Sequence, residues 1–471
     1  MKYRVWLSIL LCISLLAGCS LPFDDFREYV RIHGKKNGNT LGLAPDFSYK
    51  IEEQTPNILV NQAGYEPQSS KTVLLQGKEL EPLFQVYHKE TKELVYEGTL
   101  EKVGVVKSKE ELQVGESQEA KKKEEITLYV ADFSNLKEMG EYYIFHSQLG
   151  YSYSFPIKEG IYMELEKEIL TMLEKETFQT SQVCYQTAGL LMAMELYGEE
   201  IQELKRVENI CKVYMESLLT AQDKKSGSVY AQIPKQQKTK TQQEQKVSLT
   251  ATAEFAGTMA MYSYYIQKSD RTLAREYKNV AEKAYDFIQK NLDNVSYDAG
   301  YFAATQLYRL TGNPMYEQAV GQYLFMQEEQ KSYTENNFSL FGDLAYLSCK
   351  YGINLEWSEA VMKGVMNQAV SIADASTRSS YYISENREYD DINSMLQDVS
   401  VMSLVNYIIT NHEYTTLLKN YLDYMLGRNP KAVCMISGIG QEQNQKEEHS
   451  QQKLVLFYLL LQSIKVGNEP W

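Results

Sequence analysis

Cys19 is the residue whose surroundings most narrowly define its chemistry. It follows Leu16-Ala17-Gly18, with small residues at the two positions before it, and closes an apolar run (5–17) interrupted only by serines. Few other side chains stand out. Asp390 and Asp391 are adjacent acids directly before a helical segment. Acids there usually lie against the helix dipole, and these two are also the exposed carboxylates best placed to hold a ligand. Cys184, Cys211, Cys349 and Cys434 are scattered, without Cys-x-x-Cys spacing or neighbouring histidines. They are expected to be mostly buried free thiols rather than zinc ligands, with a disulfide as the alternative. No Asp/Asn-rich loop has the spacing of a calcium cage, so no metal or cofactor is expected.

The elements around Cys19 agree with export. Lys2 and Arg4 give a basic start. The apolar run falls short of the roughly 20 residues of a bilayer span and fits the core of a secretory signal. Its end resembles the bacterial lipobox, in which the cysteine becomes the lipid-bearing N-terminus after cleavage. The alternatives are an ordinary signal peptide with a chance cysteine, or an N-terminal membrane anchor. The lipobox reading places the protein on the extracytoplasmic face of a bacterial cell membrane, where two or three acyl chains hold firmly.

Beyond Cys19 the chain is long enough for two to three domains. Its net charge of −14 excludes nucleic acid as a partner and disfavours direct adsorption to anionic lipid, so membrane contact falls to the lipid. Residues 20–55 are polar and irregular and read as a spacer. Residues 56–158 carry short β-rich runs at 58–60, 72–75, 83–87, 94–96, 126–130, 141–145 and 151–157, separated by turns, the pattern of a small β-sandwich. The charged stretch 107–125 has no periodicity and reads as a solvated hairpin loop.

From Ile161 the period becomes helical. Val183, Thr187, Leu190, Met194 and Tyr197 share one face, as do Leu204, Val207, Cys211, Tyr214 and Leu218. Leu249, Ala253, Ala256, Ala260 and Tyr264 form a stripe of mostly small residues that lets helices approach closely. Asn313-Pro314 predicts an N-cap followed by proline at the first helical position, and Gly427 suits a helix C-terminus. About twelve helices are predicted over 159–471, near 161–177, 181–198, 201–221, 248–267, 271–291, 297–311, 314–329, 338–351, 356–374, 393–410, 414–426 and 451–465. Six hairpins closed into an (α/α)6 toroid would use them all; an open helical solenoid is the alternative.

Two segments carry a family resemblance. Ile58-Leu59-Val60-Asn61-Gln62-Ala63-Gly64-Tyr65-Glu66-Pro67 resembles the opening of the immunoglobulin-like domain that precedes many family 9 glycoside hydrolases, the cellulase-type enzymes. Leu422-Asp423-Tyr424-Met425-Leu426-Gly427-Arg428-Asn429-Pro430, with Ser437-Gly438-Ile439-Gly440, is similar to a segment late in that family's (α/α)6 barrel. Weaker similarity runs between them, through Leu218–Asp223, Thr250–Ala256 and Ala303–Gly312. The resemblance implies an immunoglobulin-like sandwich followed by an (α/α)6 barrel, and a β-glucan or other polysaccharide as partner.

It also implies an inverting hydrolase, which needs one carboxylate to activate water and a second to protonate the leaving oxygen. The family's base lies in an Asp-Ala-Gly-Asp loop before the second helix. Here Glu176-Thr177-Phe178-Gln179-Thr180 runs straight into that helix, leaving only Glu174 and Glu176 nearby. Asp298-Ala299-Gly300 lies in another part of the fold and reads as a helix N-terminal turn. The position matching the family's acid is Gln445, which has no acidic proton to give; a slip of register would bring Glu447 or Glu448 there. The family's paired histidines are missing. Where the family tends to carry Trp-Gly-Ser-Asn this chain has Tyr389-Asp390-Asp391-Ile392-Asn393, and only Trp357 and Trp471 remain beyond the signal. No residue is assigned a catalytic role. The leading expectation is a degenerate family member acting as a glycan-binding or scaffold module. An active inverting glycosidase with relocated carboxylates (Asp390 or Asp391 with Glu447 or Glu448) and a purely structural lipoprotein are the alternatives.

Overall fold

The structure is a computed structural model that describes residues 56–107, 125–175, 177–234, 246–290, 295–326, 338–384, 392–409, 411–436, 438–440 and 451–466. An antiparallel β domain comes first. Its strands are β1 (Ile58–Leu59), β2 (Thr72–Gly77), β3 (Leu83–His88), β4 (Leu94–Lys107), β5 (Glu125–Asp132), β6 (Gly140–His146), β7 (Gly150–Tyr151) and β8 (Phe155–Ile157). They pair in the order β1-β2-β5-β4-β3-β6-β7, with β8 also on β6. β4 is far longer than the run at 94–96 suggests. Its first part pairs with β3 and its second with β5. A register shift between Lys102 and Gly104 changes which side chains face inward, so no single alternation runs through the strand. Lys107 pairs with Glu125, so the charged stretch joins two antiparallel neighbours as a hairpin connection; its own residues 108–124 lie outside the described set.

In β2, Val73 and Leu75 point into the β core with Phe84, Val86 and Ile144. Leu74, with Leu59 and Leu128, points the other way into the helical core. This part of the sheet is therefore buried on both faces, which explains the unbroken apolar run Val73-Leu74-Leu75.

Twelve helices follow among the described residues: α1 (Ile161–Leu173), α2 (Thr180–Tyr197), α3 (Leu204–Leu219), α4 (Leu249–Ile266), α5 (Arg271–Ile288), α6 (Tyr297–Thr311), α7 (Pro314–Met326), α8 (Ser339–Leu347), α9 (Leu355–Arg378), α10 (Ile392–Ile408), α11 (His412–Met425) and α12 (Gln451–Val466). Local chemistry sets many of their ends. Ser248, Asp270, Asn354 and Asn411 cap with side-chain oxygens that accept backbone N–H groups, satisfying donors the helix leaves unpaired. Asn313 accepts from the Met315 N–H at 3.1 Å just ahead of Pro314, as the sequence predicts.

The helices alternate in character. α2 and α4 are buried almost all round. α3 and α5 bury one stripe, Val207, Ile210, Cys211, Tyr214 and Leu218 in the first, Ala274, Tyr277, Ala281, Tyr285 and Ile288 in the second. A helix apolar all round belongs inside and an amphipathic one outside. The buried helices pack on one another in sequence, α2 on α4, α4 on α6, α6 on α8, and α10 on α12, and α12 packs back on α2. Gly189 permits that last contact, since a Cβ there would meet Val455 at 2.7 Å. The buried pair Glu166 and Lys465, with Tyr458 also on Glu166 at 3.2 Å, ties α1 to α12.

Candidate functional site

The N-terminal ends of α2, α4, α6 and α8 converge, and polar groups meet there inside an otherwise apolar domain. Ser181, at the start of α2, hydrogen-bonds Glu254 of α4. Asp298, in the first turn of α6, accepts the Phe338 N–H at the start of α8 at 3.2 Å. The Tyr301 hydroxyl donates to Asp343 Oδ1 at 2.8 Å. Rings stand around these acids: Tyr185 meets Phe338 edge-on with centroids 5.2 Å apart, and Tyr297 stacks on Tyr301 at 6.2 Å. Tyr297 and Asp298 are half-exposed. Among the described residues, Glu254 Oε2 and the Tyr297 hydroxyl are buried atoms with no hydrogen-bond partner.

Glu254 is the electrostatic centre of the group. Burial pushes its carboxyl up to about 8; the nearby Asp298 charge adds to this and the Ser181 hydrogen bond opposes it. At neutral pH the side chain is therefore mostly a neutral acid, able to donate a hydrogen bond as well as accept one. Burial, with the Asp298 charge behind it, also pushes the Tyr185 phenol up, so that hydroxyl stays protonated. Glu254, Tyr301 and Asp343 are buried, while Tyr297 and Asp298 are partly open to solvent, so a hydroxyl-rich ligand would meet those two first, with the neutral acid behind them.

Of the residues singled out from sequence, Asp390, Asp391, Gln445, Glu447, Glu448, Glu176 and Cys19 lie outside the described residues. Glu174 is described and is committed elsewhere. Arg206 grips it with two bonds, Nε to Oε1 at 2.7 Å and Nη2 to Oε2 at 2.9 Å. The Arg206 hydrogen bond holds its carboxyl below the usual range, and the pair fastens the end of α1 to α3. Only residues 174–179 connect α1 to α2. Asp298 does sit in a helix N-terminal turn, and its contacts also draw it into the group around Glu254. Glu254 lies within the Thr250–Ala256 segment, whose similarity to the family does not single it out. The available signal was an acid inside a helix with no polar face, which is rare unless the acid has a task or a partner.

The two family-like end motifs meet at the junction of the β and helical parts. Asn61 Nδ2 donates to Asp423 Oδ1 at 2.8 Å, the Gln62 N–H donates to the Leu426 carbonyl at 2.8 Å, and Gln62 Nε2 donates to the Ala432 carbonyl at 2.6 Å. Arg428, fully buried, bonds Thr72 Oγ1 and Asn420 Oδ1 at 2.7 Å each and lies 3.3 Å from Asp423 Oδ2. Gly427 has φ 122°, and a Cβ there would meet Gln62 Nε2 at 2.7 Å and the Val60 carbonyl at 2.8 Å. These contacts join the β and helical parts.

The four described cysteines are free thiols, three of them buried. Burial pushes the Cys184 and Cys434 thiols up, so they remain protonated and unreactive.

Fold and junction together define the class: an immunoglobulin-like β domain joined to a twelve-helix domain of the cellulase type. The family model described as glycosyl hydrolase family 9 matches residues 179–455, and the cellulase N-terminal ig-like domain matches residues 53–150. The chain belongs to glycosyl hydrolase family 9. Its fold is similar to that of a metagenome-derived family 9 endoglucanase (TM-score 0.68, 18% identity, covering 85% of this chain and 88% of that one). It is similar to a family 9 protein of Bacteroides ovatus (TM-score 0.66, 15% identity, 87% and 99%). A single-mutant thermostable endoglucanase from Alicyclobacillus acidocaldarius is also similar (TM-score 0.64, 18% identity, 82% and 85%). No curated protein matches the chain in sequence.

Proposed function

We propose that this protein is an exported lipoprotein, held at the outer face of a bacterial cell membrane through Cys19, whose family 9 domain has lost hydrolysis and binds a β-glucan or related polysaccharide. The twelve helices form six hairpins closed into an (α/α)6 toroid, a reading supported by the alternation of buried and amphipathic helices and by the packing of α12 against α2. The polysaccharide lies across the end where Glu254, Asp298 and the Tyr297 ring converge. One observation carries the loss of hydrolysis. The connection from α1 to α2 spans residues 174–179, with no Asp-Ala-Gly-Asp sequence, and its first carboxylate, Glu174, is clamped by Arg206. Inversion without a base has no means to activate water.

Glu254 favours a second reading. A carboxyl that is neutral at pH 7 beside a second acid is the arrangement that separates an acid from a base, and an active glycosidase would use such a split with relocated partners. Incubating the full chain at high load with soluble and insoluble β-glucans decides between them. The proposal expects calorimetric binding with no release of reducing sugar. Release that disappears in Glu254→Gln, Asp390→Asn or Glu447→Gln overturns it in favour of the enzyme. Absence of both binding and release leaves only a structural role.

A further inference from the structure

The opposite end of the helical domain carries a cavity of about 450 Å³. It opens where α2 and α4 finish, ten residues along α4 from Glu254 and so about 15 Å away. Its size lies within the roughly 300–1,000 Å³ of small-molecule sites. Leu191 and Met261 supply apolar wall, Tyr264 and Tyr265 supply rings, and Lys268 and Lys350 stand at the rim. Both lysines are exposed and neither belongs to an ion pair among the described residues. Behind the wall lies Arg309, 2% exposed. Its guanidinium stacks on the Tyr264 ring at 3.9 Å and bonds Glu195 through Nη2, while Nε and Nη1 have no hydrogen-bond partner among the described residues.

The charges here are mixed in a particular way. Two lysines, Lys268 and Lys350, line the cavity with two carboxylates, Glu195 and Glu208; Arg309 bonds Glu195 from behind the wall, and Tyr265 donates to Glu208 at 3.0 Å. In a chain of net charge −14, two lysines without ion pairs among the described residues stand out at one cavity mouth. A bare anion would gain from the lysines and lose to the glutamates. An anion that also carries hydroxyl donors satisfies both, because carboxylates accept from hydroxyls. The C–H face of a sugar ring suits the tyrosines and the apolar wall.

We propose that this cavity binds an anionic pyranose, either a uronic acid or a sugar phosphate, with its charge on Lys268 and Lys350 and its hydroxyls on Glu195 and Glu208. The site is independent of whatever occupies the end around Glu254. Calorimetry on the full chain with glucuronate, glucose 6-phosphate, glucose and inorganic phosphate, each to about 10 mM, tests it. At least one of the two acidic sugars is expected to bind, and which one does identifies the anionic group. Glucose and phosphate are expected to bind at least about tenfold more weakly. The double variant Lys268→Ala/Lys350→Ala, which alters only exposed side chains, is expected to weaken acidic-sugar binding by about tenfold or more. No binding of either acidic sugar, binding unchanged in the double variant, or phosphate binding as tightly as the sugars each overturns the proposal.

Discussion

Replacing Glu254 by glutamine tests the charge state of the buried site directly. Glutamine keeps the shape and cannot ionise. In the native protein the Glu254 carboxyl is raised from its ordinary 4.5 to about 8, chiefly by burial. A carboxyl raised on folding contributes stability in full below its unfolded pKa and loses it as pH climbs toward the folded value, because the unfolded chain gives up the proton first. At 1.36 kcal/mol per tenfold change, the whole displacement amounts to about 5 kcal/mol. About half of this, 2–3 kcal/mol, is lost between pH 5 and pH 7. E254Q escapes the loss. Urea midpoints of the two proteins, measured at pH 5, 6, 7 and 8, should therefore diverge steadily, with the variant gaining on the wild type as pH rises. A gap that stays constant across this range would mean that Glu254 is ionised in the folded protein throughout. The site would then contain an anion rather than a hydrogen-bond donor.

Three further outcomes follow from the packing. Arg428→Met leaves Asp423 buried without its cation and should destabilise the protein by about 3–5 kcal/mol, read as a lowered urea midpoint. Gly427→Ala combines a left-handed φ of 122° with a Cβ 2.7 Å from Gln62 Nε2; backbone strain alone costs about 1–3 kcal/mol, and limited proteolysis should detect loosening where the β and helical parts join. Glu166→Ala strands Lys465 at the α1–α12 contact and should cost about 3–5 kcal/mol, whereas Glu166→Leu/Lys465→Met, which removes both charges, should recover most of that loss in the same denaturation assay.

The fold was largely legible because its signals are periodic and local. Val207, Cys211, Tyr214 and Leu218 reveal α3 through spacing alone, and Asn313-Pro314 marks the start of α7 through cap chemistry. β4 was harder to read because its two parts pair with different strands across a register shift, so no single alternation spans it. The site was harder still. Glu254, Asp298 and Asp343 are separated by more than forty residues in each step and meet only because α4, α6 and α8 start at the same end. Nothing in the sequence around Glu254 marks it except its presence among alanines and threonines. Conversely, the motifs that stand out most, at 58–67 and 422–430, do so because many backbone groups must meet at one junction. Asn61, Gln62, Gly427 and Arg428 are constrained by packing, so they identify the family without disclosing whether it still performs its chemistry.

That division of labour bears on the proposed function. The junction motifs and the helix packing maintain the scaffold, and neither requires Glu254. Leucine or glutamine would fill the same volume in α4 without the ionisation penalty of a few kcal/mol that the acid incurs at neutral pH. Packing therefore supplies no reason for an acid there, and the site must. A general acid is one such reason, but it needs a base across a water-sized gap, and the short α1–α2 connection has no Asp-Ala-Gly-Asp sequence to present one. A donor to ligand hydroxyls is another, and it draws on what the described residues provide: a neutral carboxyl, neighbouring acceptors and the partly exposed Tyr297 ring. Binding without hydrolysis is thus the reading that accounts for the buried acid and the short loop together.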